Sequence, residues 1–149
     1  MAGRKKKNLY DDRGFTLIEI MVVVVIIGIL ATLIGTAVIG RIDDANIAKA
    51  KSDISTIASA LQLYKMDNGS YPTTEEGLEA LVKKPAGARN WSKGGYIEGK
   101  KIPKDPWGSE YNYLSPGVNN PDYDLWSNGK DKISGTEDDI QSWNLDKEF

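Results

Sequence analysis

The sequence contains no cysteine and no histidine among its 149 residues. This composition therefore excludes disulfides, thiolate metal sites, thiol nucleophiles and histidine-based catalytic triads. The formal net charge is only -2, and no basic stripe crosses the second half of the chain, so a nucleic-acid partner is not expected. What remains is oxygen chemistry, in a chain with room for one ordinary domain plus an extension.

A basic segment, residues 1–14 with net charge +3, precedes an apolar run of 25 residues from Phe15 to Ile39. As a helix this run reaches roughly 37 Å, which exceeds the roughly 30 Å of a bilayer's hydrocarbon layer. A secretory signal peptide would have a shorter apolar stretch and a small-residue cleavage site. The pattern predicts a leader over 1–14 and a membrane-spanning helix over 15–40, with the N-terminus cytoplasmic and residues after Arg41 exported.

Glu19 is the one carboxylate inside the apolar run. At the centre of a bilayer such a group costs about 2.5–3.5 kcal/mol, and somewhat less near an end of the span. It could reach water at the membrane edge, or it could pair with a cation supplied when subunits pack. A cut between Gly14 and Phe15 would create such a cation, an α-amino group with a reference pKa of about 7.7–8.0.

The stretch from Arg13 to Glu19 reads Arg-Gly-Phe-Thr-Leu-Ile-Glu. It resembles the class III signal of type IV pilins and their relatives. The resemblance implies that a prepilin peptidase cuts after Gly14 and methylates the amine of Phe15, and that Glu19 pairs with the Phe15 amine of a neighbouring subunit. Many relatives carry a proline where this chain has Thr36, so the resemblance does not extend to a proline-weakened helix at that position.

Beyond the span, apolar residues continue at helical spacing over 41–67 and end at Asp67-Asn68-Gly69, a typical helix stop. Capping-box spacing from Thr73 to Glu76 predicts a second short helix. Two strands are predicted at Tyr111–Leu114 and Tyr123–Trp126. The expected fold is α+β and type IV pilin-like: a long N-terminal helix that carries a small head, residues 68–149.

This region also resembles the major pseudopilins of type II secretion systems, through the segment 67–81, the turn Asp105-Pro106-Trp107-Gly108 and the Asp-rich tail. The resemblance implies a structural subunit, not an enzyme, that polymerises from the bacterial inner membrane with its head in the periplasm and drives folded proteins through an outer-membrane channel. The implied partners are further copies of the chain, minor pseudopilins, the prepilin peptidase, the inner-membrane platform with its ATPase, and membrane lipid.

The segment 127–140, here called the acidic loop, crowds four carboxylates into nine residues. Such a loop is either a solvated turn or a site for calcium, which accepts six to eight oxygen ligands; the spacing does not match an EF-hand. The resemblance favours calcium, and Glu137 lies outside the ligand pattern that it implies. That pattern takes side-chain oxygens from Asp131, Thr136, Asp138 and Asp139 and backbone carbonyls from Asn128 and Ile133.

Three alternatives remain at this point. A type IV pilin for adhesion or motility would share the sequence up to about residue 65, but such pilins usually close the C-terminal loop with a disulfide, for which this chain has no cysteine. A membrane-tethered hydrolase could use Asp138 and Asp139, although adjacent loop residues rarely face one substrate atom. The four tryptophans could form a sugar platform, although core packing suits a head this small better.

Overall fold

A computed structural model of the protein describes residues 14–147 and Phe149, except for the side chains of residues 33–39. The predicted leader, apart from Gly14, thus lies outside the described residues. The chain divides into two units, residues 1–41 and Ile42–Phe149, the second of which is here called the C-terminal unit. Each unit is described by itself.

The principal element is one 52-residue helix, α1, which runs Leu17–Asn68. It ends where the sequence predicts, because Gly69 takes a left-handed φ of 86° that favours glycine, and its N–H donates to the carbonyl of Lys65 at 2.7 Å. Among the residues that the structure describes, no helix is found that is both long and apolar enough to cross a membrane.

The second half of α1 supplies half of the buried core residues of the C-terminal unit. Ile54, Ile57 and Leu61 are fully buried and recur at the three- and four-residue spacing of one helix face. Leu81, Leu125 and Ile140 cover that face from later in the chain. The buried cluster is complete within this unit: Ala50, Ile54, Ile57, Ala60, Leu61, Tyr64, Leu78, Ala80, Leu81, Tyr111, Leu125 and Ile140.

The predicted second helix is only partly correct. The capping box forms, since Thr73 N–H donates to Glu76 Oε2 at 2.9 Å and Glu76 N–H donates to Thr73 Oγ1 at 3.2 Å. The helix after this box is a single 3-10 segment, Leu78–Leu81. Gly77 separates the two with a left-handed φ of 59°, so the capped turn cannot continue as an α-helix.

A small antiparallel sheet completes the C-terminal unit. Its strands are β1 (Asn112–Leu114), β2 (Asp124–Ser127) and β3 (Ile140–Gln141), in the spatial order β1-β2-β3. The two predicted strands are confirmed to within a residue at either end. β3 is missing from the prediction, because two residues are too few to show any alternation. It pairs with the end of β2 and thereby closes the acidic loop between them.

Asp124, at the start of β2, holds the connection between β1 and β2. Its carboxylate is 2% exposed and accepts four hydrogen bonds of 2.9–3.0 Å, from the N–H groups of Val118, Asn119 and Asn120 and the side-chain amide of Asn119. Burial raises the pKa of Asp124, but these donors outweigh it, and the net pKa lies below the ordinary 3.8. The connecting loop is thus wrapped around one anion.

Replacing Asp124 by Asn should lower the free energy of unfolding of the C-terminal unit by about 1–3 kcal/mol near pH 7, because an amide nitrogen cannot accept from buried N–H groups. Because the pKa of Asp124 is lower in the folded than in the unfolded protein, its ionised form stabilises the folded state fully above the unfolded pKa. This stabilisation is lost as the pH falls through the native pKa. The difference between the two proteins should therefore shrink below about pH 4. Urea unfolding across this pH range measures it.

Asp122→Asn is the matched control for this experiment. Asp122 is exposed and lies 3.5 Å from Lys65 in a surface ion pair, so its loss should cost less than about 1 kcal/mol. An Asp124→Asn protein as stable as the Asp122→Asn protein at neutral pH would show that the carboxylate does not organise the loop.

Candidate functional site

The first candidate site lies at the start of α1, where Thr16 and Glu19 cap each other. Thr16 N–H and Thr16 Oγ1 donate to Glu19 Oε2 at 2.8 and 3.1 Å. The Glu19 N–H in turn lies 3.3 Å from Thr16 Oγ1. This is a capping box, and the carboxylate also lies at the positive end of the helix dipole. It was not predicted from the sequence, although the Thr-x-x-Glu spacing was its signal.

The residues around Glu19 are apolar and exposed. Phe15 is 82% exposed and Leu17 is 81% exposed. Large apolar side chains continue around the helix to Leu30, each about half exposed or more. In water such a surface would cost free energy, so this segment needs an apolar partner. Glu19 is thus a capped carboxylate within an exposed apolar surface.

The second candidate site is the acidic loop, in the C-terminal unit. Thr136 Oγ1 lies 2.6 Å from Asp138 Oδ1 and 3.0 Å from the carbonyl oxygen of Ile133. Asp138 Oδ2 accepts from the N–H of Asp131 at 2.9 Å. Asp131 Oδ1 accepts from the N–H of Ile133 at 2.7 Å. Four of the six residues that the resemblance implies as ligands are therefore in mutual contact.

Asp138 is the central carboxylate of this group. Burial raises its pKa, but the hydroxyl of Thr136 and backbone N–H groups, including that of Asp131, outweigh burial and lower the pKa below its ordinary value. The carboxylate also lies against Gly129, at which a Cβ atom would come within 2.6 Å of Asp138 Oδ2. Gly129, with a φ of 65°, therefore has two reasons to be glycine.

The two remaining predicted ligands are placed differently. Asp139 is 3% exposed; its Oδ2 accepts from the N–H of Gly135 at 2.7 Å, whereas its buried Oδ1 has no partner among the described residues. The Asn128 side chain is already engaged, because its Oδ1 accepts from Asn112 and Trp126 and its Nδ2 lies 3.5 Å from the carbonyl of Lys132. Only its backbone carbonyl is thus left for an ion.

Across residues 14–147 and 149, no group of three or more Asp or Glu side chains comes together as a metal-binding cluster. The donor set in the loop is instead mixed, with one hydroxyl and one carbonyl beside the carboxylates. Asp138 and Asp139 also accept from different donors, Thr136 and Gly135. The geometry gives no support to a hydrolytic pair.

Two lysines fasten the acidic loop to other parts of the C-terminal unit. Lys130 Nζ lies 2.7 Å from Asp43 Oδ2 on α1. Lys147 Nζ donates to the backbone carbonyl of Glu137. The carbonyl of Lys147 accepts from Lys51 Nζ at 2.7 Å, which ties the tail to α1. Glu137 thus contributes a backbone contact through its carbonyl, and its side chain is exposed.

The tryptophans do not form one platform. Trp91 and Trp107 pack against the core, and Trp91 Nε1 donates to the carbonyl of Ala80 at 2.8 Å. Trp126 and Trp143 meet edge to face with ring centres 6.3 Å apart. Core packing accounts for the first pair, and the second pair presents no flat shared face.

Two family profiles match the chain. The family described as "Type II secretion system (T2SS), protein G" matches residues 37–143. The family described as "Prokaryotic N-terminal methylation motif" matches residues 10–35. Together the two matches include both candidate sites.

Among curated relatives, the type II secretion system core protein G of Pseudomonas aeruginosa is 55% identical over 139 residues, which cover 89% of this chain and 96% of the relative. The protein of the same name from Escherichia coli K12 is 50% identical, with 91% and 94% covered. Among solved structures, the major pseudopilin of the type 2 secretion system of enterohaemorrhagic Escherichia coli is 44% identical, has a TM-score of 0.64, and is matched over 72% of this chain and 94% of its own.

Proposed function

Because the chain belongs to the protein G family of type II secretion systems, the major pseudopilins, we propose that it polymerises into the pseudopilus that moves folded proteins through the outer-membrane channel. The observation that carries the proposal is the union of two features in one chain: a capped, exposed apolar helix start and a compact C-terminal unit with its own core. The apolar segment needs neighbours, and the C-terminal unit does not.

We place the apolar segment in the bacterial inner membrane before assembly, as a single span over 15–40 with the C-terminal unit in the periplasm. The length of the apolar run and the basic leader support this placement. The prepilin peptidase cuts between Gly14 and Phe15 and methylates the new amine. Minor pseudopilins, the inner-membrane platform and its ATPase complete the assembly.

In the filament, Glu19 pairs with the Phe15 amine of a neighbouring copy. The capping box supports this role, because it fixes the carboxylate at the first turn of α1, next to the residue that carries the amine. A carboxylate and an amine surrounded by packed apolar helices stabilise one another only when both are present. The pair therefore favours one register between copies.

Calcium in the acidic loop is the second part of the proposal. The loop fits a hard cation in two respects: the oxygens of Ile133, Thr136 and Asp138 already converge, and the buried Asp139 Oδ1 has no partner among the described residues. When bound, the ion supplies positive charge that neutralises the carboxylates and closes the loop, in a chain without disulfides. Asp131, Thr136, Asp138 and Asp139 hold it, with the carbonyls of Asn128 and Ile133.

The filament proposal is tested by producing the full chain in cells that contain a prepilin peptidase and a type II secretion system. We expect surface filaments whose subunits, by mass spectrometry, begin at a methylated Phe15. Gly14→Val should leave the leader attached and reduce filament yield at least tenfold, because the uncut chain lacks the amine that pairs with Glu19. Processed chains that never enter a filament would contradict the proposal.

A further inference from the structure

Asp105 lies far from the acidic loop in sequence but not in the fold. Its carboxylate is 4% exposed and organises the Asp-Pro-Trp-Gly turn. Oδ1 accepts from the N–H groups of Trp107 and Ser109 at 3.2 and 2.7 Å. The turn is closed further by the Gly108 N–H, which donates to the Asp105 carbonyl at 3.0 Å. One carboxylate oxygen thus suffices for the turn itself.

The other carboxylate oxygen of Asp105, Oδ2, has its hydrogen-bond partner outside the turn. It accepts from the hydroxyl of Ser127 at 2.6 Å, a contact that is buried on both sides. Ser127 is the last residue of β2, is fully buried, and stands immediately before the predicted ligand Asn128. The bond therefore joins the turn to the point where the acidic loop begins.

Ser127 also forms a hydrogen bond with Gly129. Its Oγ accepts from the Gly129 N–H at 3.1 Å, and both groups are buried. A hydroxyl has one hydrogen, so by donating it to Asp105 the Ser127 oxygen keeps its lone pairs for the Gly129 N–H. The Asp105 carboxylate thereby fixes the direction of both hydrogen bonds, which together are here called the Asp105–Ser127–Gly129 relay. Gly129 packs directly on Asp138: a Cβ atom at position 129 would come within 2.3 Å of the Asp138 carbonyl oxygen and 2.6 Å of its Oδ2.

Given the calcium site proposed above, we propose that Asp105 and Ser127 are positioning residues for that site: they hold Gly129 in place, and Gly129 sets the position of the Asp138 carboxylate. Neither residue contacts the ion. Their role is to orient a ligand through the backbone of the loop. Removing a direct hydrogen-bond partner of a metal ligand typically changes metal affinity 10- to 100-fold; because Ser127 acts through Gly129, we expect the lower end of that range.

The test is calcium titration calorimetry on the C-terminal unit, residues 42–149, which contains its complete core. Ser127→Ala should weaken calcium binding about tenfold or more, because Gly129 loses its acceptor and Asp138 its fixed neighbour. Asp105→Asn should weaken it as well, since an amide nitrogen placed against Ser127 competes for the same lone pairs. Circular dichroism in a chelator verifies that each variant is folded before titration.

Tyr111→Phe is the matched control, since it also deletes one hydrogen-bonded hydroxyl from the C-terminal unit. Tyr111 OH donates to Asp53 Oδ2 at 3.0 Å, outside the relay. It should lower the melting temperature and leave calcium affinity unchanged. If Ser127→Ala binds calcium like the wild type, the relay does not position the site and the inference fails. If the wild type does not bind calcium, the ion proposal itself fails and the inference falls with it.

Discussion

The melting temperature of the C-terminal unit should rise by about 10 °C or more when millimolar calcium replaces a chelator. A ligand present at 100 times its dissociation constant adds about 2.7 kcal/mol, and each kcal/mol moves the midpoint of a domain of this size by about 4 °C or more. The acidic loop is a sensitive reporter because Thr136 Oγ1 and Asp138 Oδ1 lie 2.6 Å apart and the buried Asp139 Oδ1 has no partner among the described residues. Differential scanning calorimetry of residues 42–149 measures the shift.

Variants of two acidic residues in the loop distinguish the loss of a calcium ligand from the loss of a negative charge. Asp131→Ala removes a proposed ligand, and Glu137→Ala removes an equal charge that lies outside the ligand set. We expect the calcium-dependent rise to be largely lost in the first variant and kept in the second. Magnesium should not substitute, because it demands a tighter octahedral shell and dehydrates reluctantly. An equal calcium-dependent rise in melting temperature in the wild type and both variants would contradict the proposed ligand set.

Glu19→Gln should reduce filament assembly about a hundredfold or more. The glutamine oxygen can still accept from Thr16, so the capping box and the start of α1 are retained. What is lost is the charge that pairs with the Phe15 amine of the next copy. Leaving that amine unpaired among packed apolar helices costs about 3–5 kcal/mol per contact. Filaments sheared from cells and quantified against total membrane protein give the measurement.

Thr16→Ala is the complementary variant for this second prediction. It removes the hydroxyl that receives the Glu19 N–H but leaves the charge, at a cost of about 1 kcal/mol in capping. Its filament yield should stay within about tenfold of the wild type. A Thr16→Ala protein that assembles as poorly as Glu19→Gln would show that the cap, and not the charge, is what assembly requires.

The parts of the fold that the sequence predicted are those with a long repeating pattern or a strong local signal. α1 has apolar residues at helical spacing over its second half, and the stop at Gly69 has a backbone angle that few other residues adopt. The predicted strand segments, Tyr111–Leu114 and Tyr123–Trp126, each contain two aromatic residues and are bounded by turns. The Thr73–Glu76 capping box was also predictable, but Gly77 limits the helix after it to a 3-10 segment.

The features that the sequence did not reveal depend on contacts between distant residues. The Asp105–Ser127 bond spans 22 positions, and neither residue has a neighbour in sequence that hints at the other. β3 exists only because β2 offers it an edge. At the acidic loop the residue types were evident, but the convergence of Ile133, Thr136 and Asp138 became visible only with the backbone in place. The role of Asp124 as the acceptor of four hydrogen bonds was also not predicted from the sequence.

Restoration of secretion tests the central claim most directly. The full chain is produced in a bacterium whose type II secretion system lacks its own major pseudopilin, and a secreted enzyme is assayed in the culture medium. We predict that the wild-type chain restores export and that Glu19→Gln, made in equal amount and cut at the same bond, does not. Export restored equally by both chains, or filaments of the wild-type chain without any export, would contradict the account.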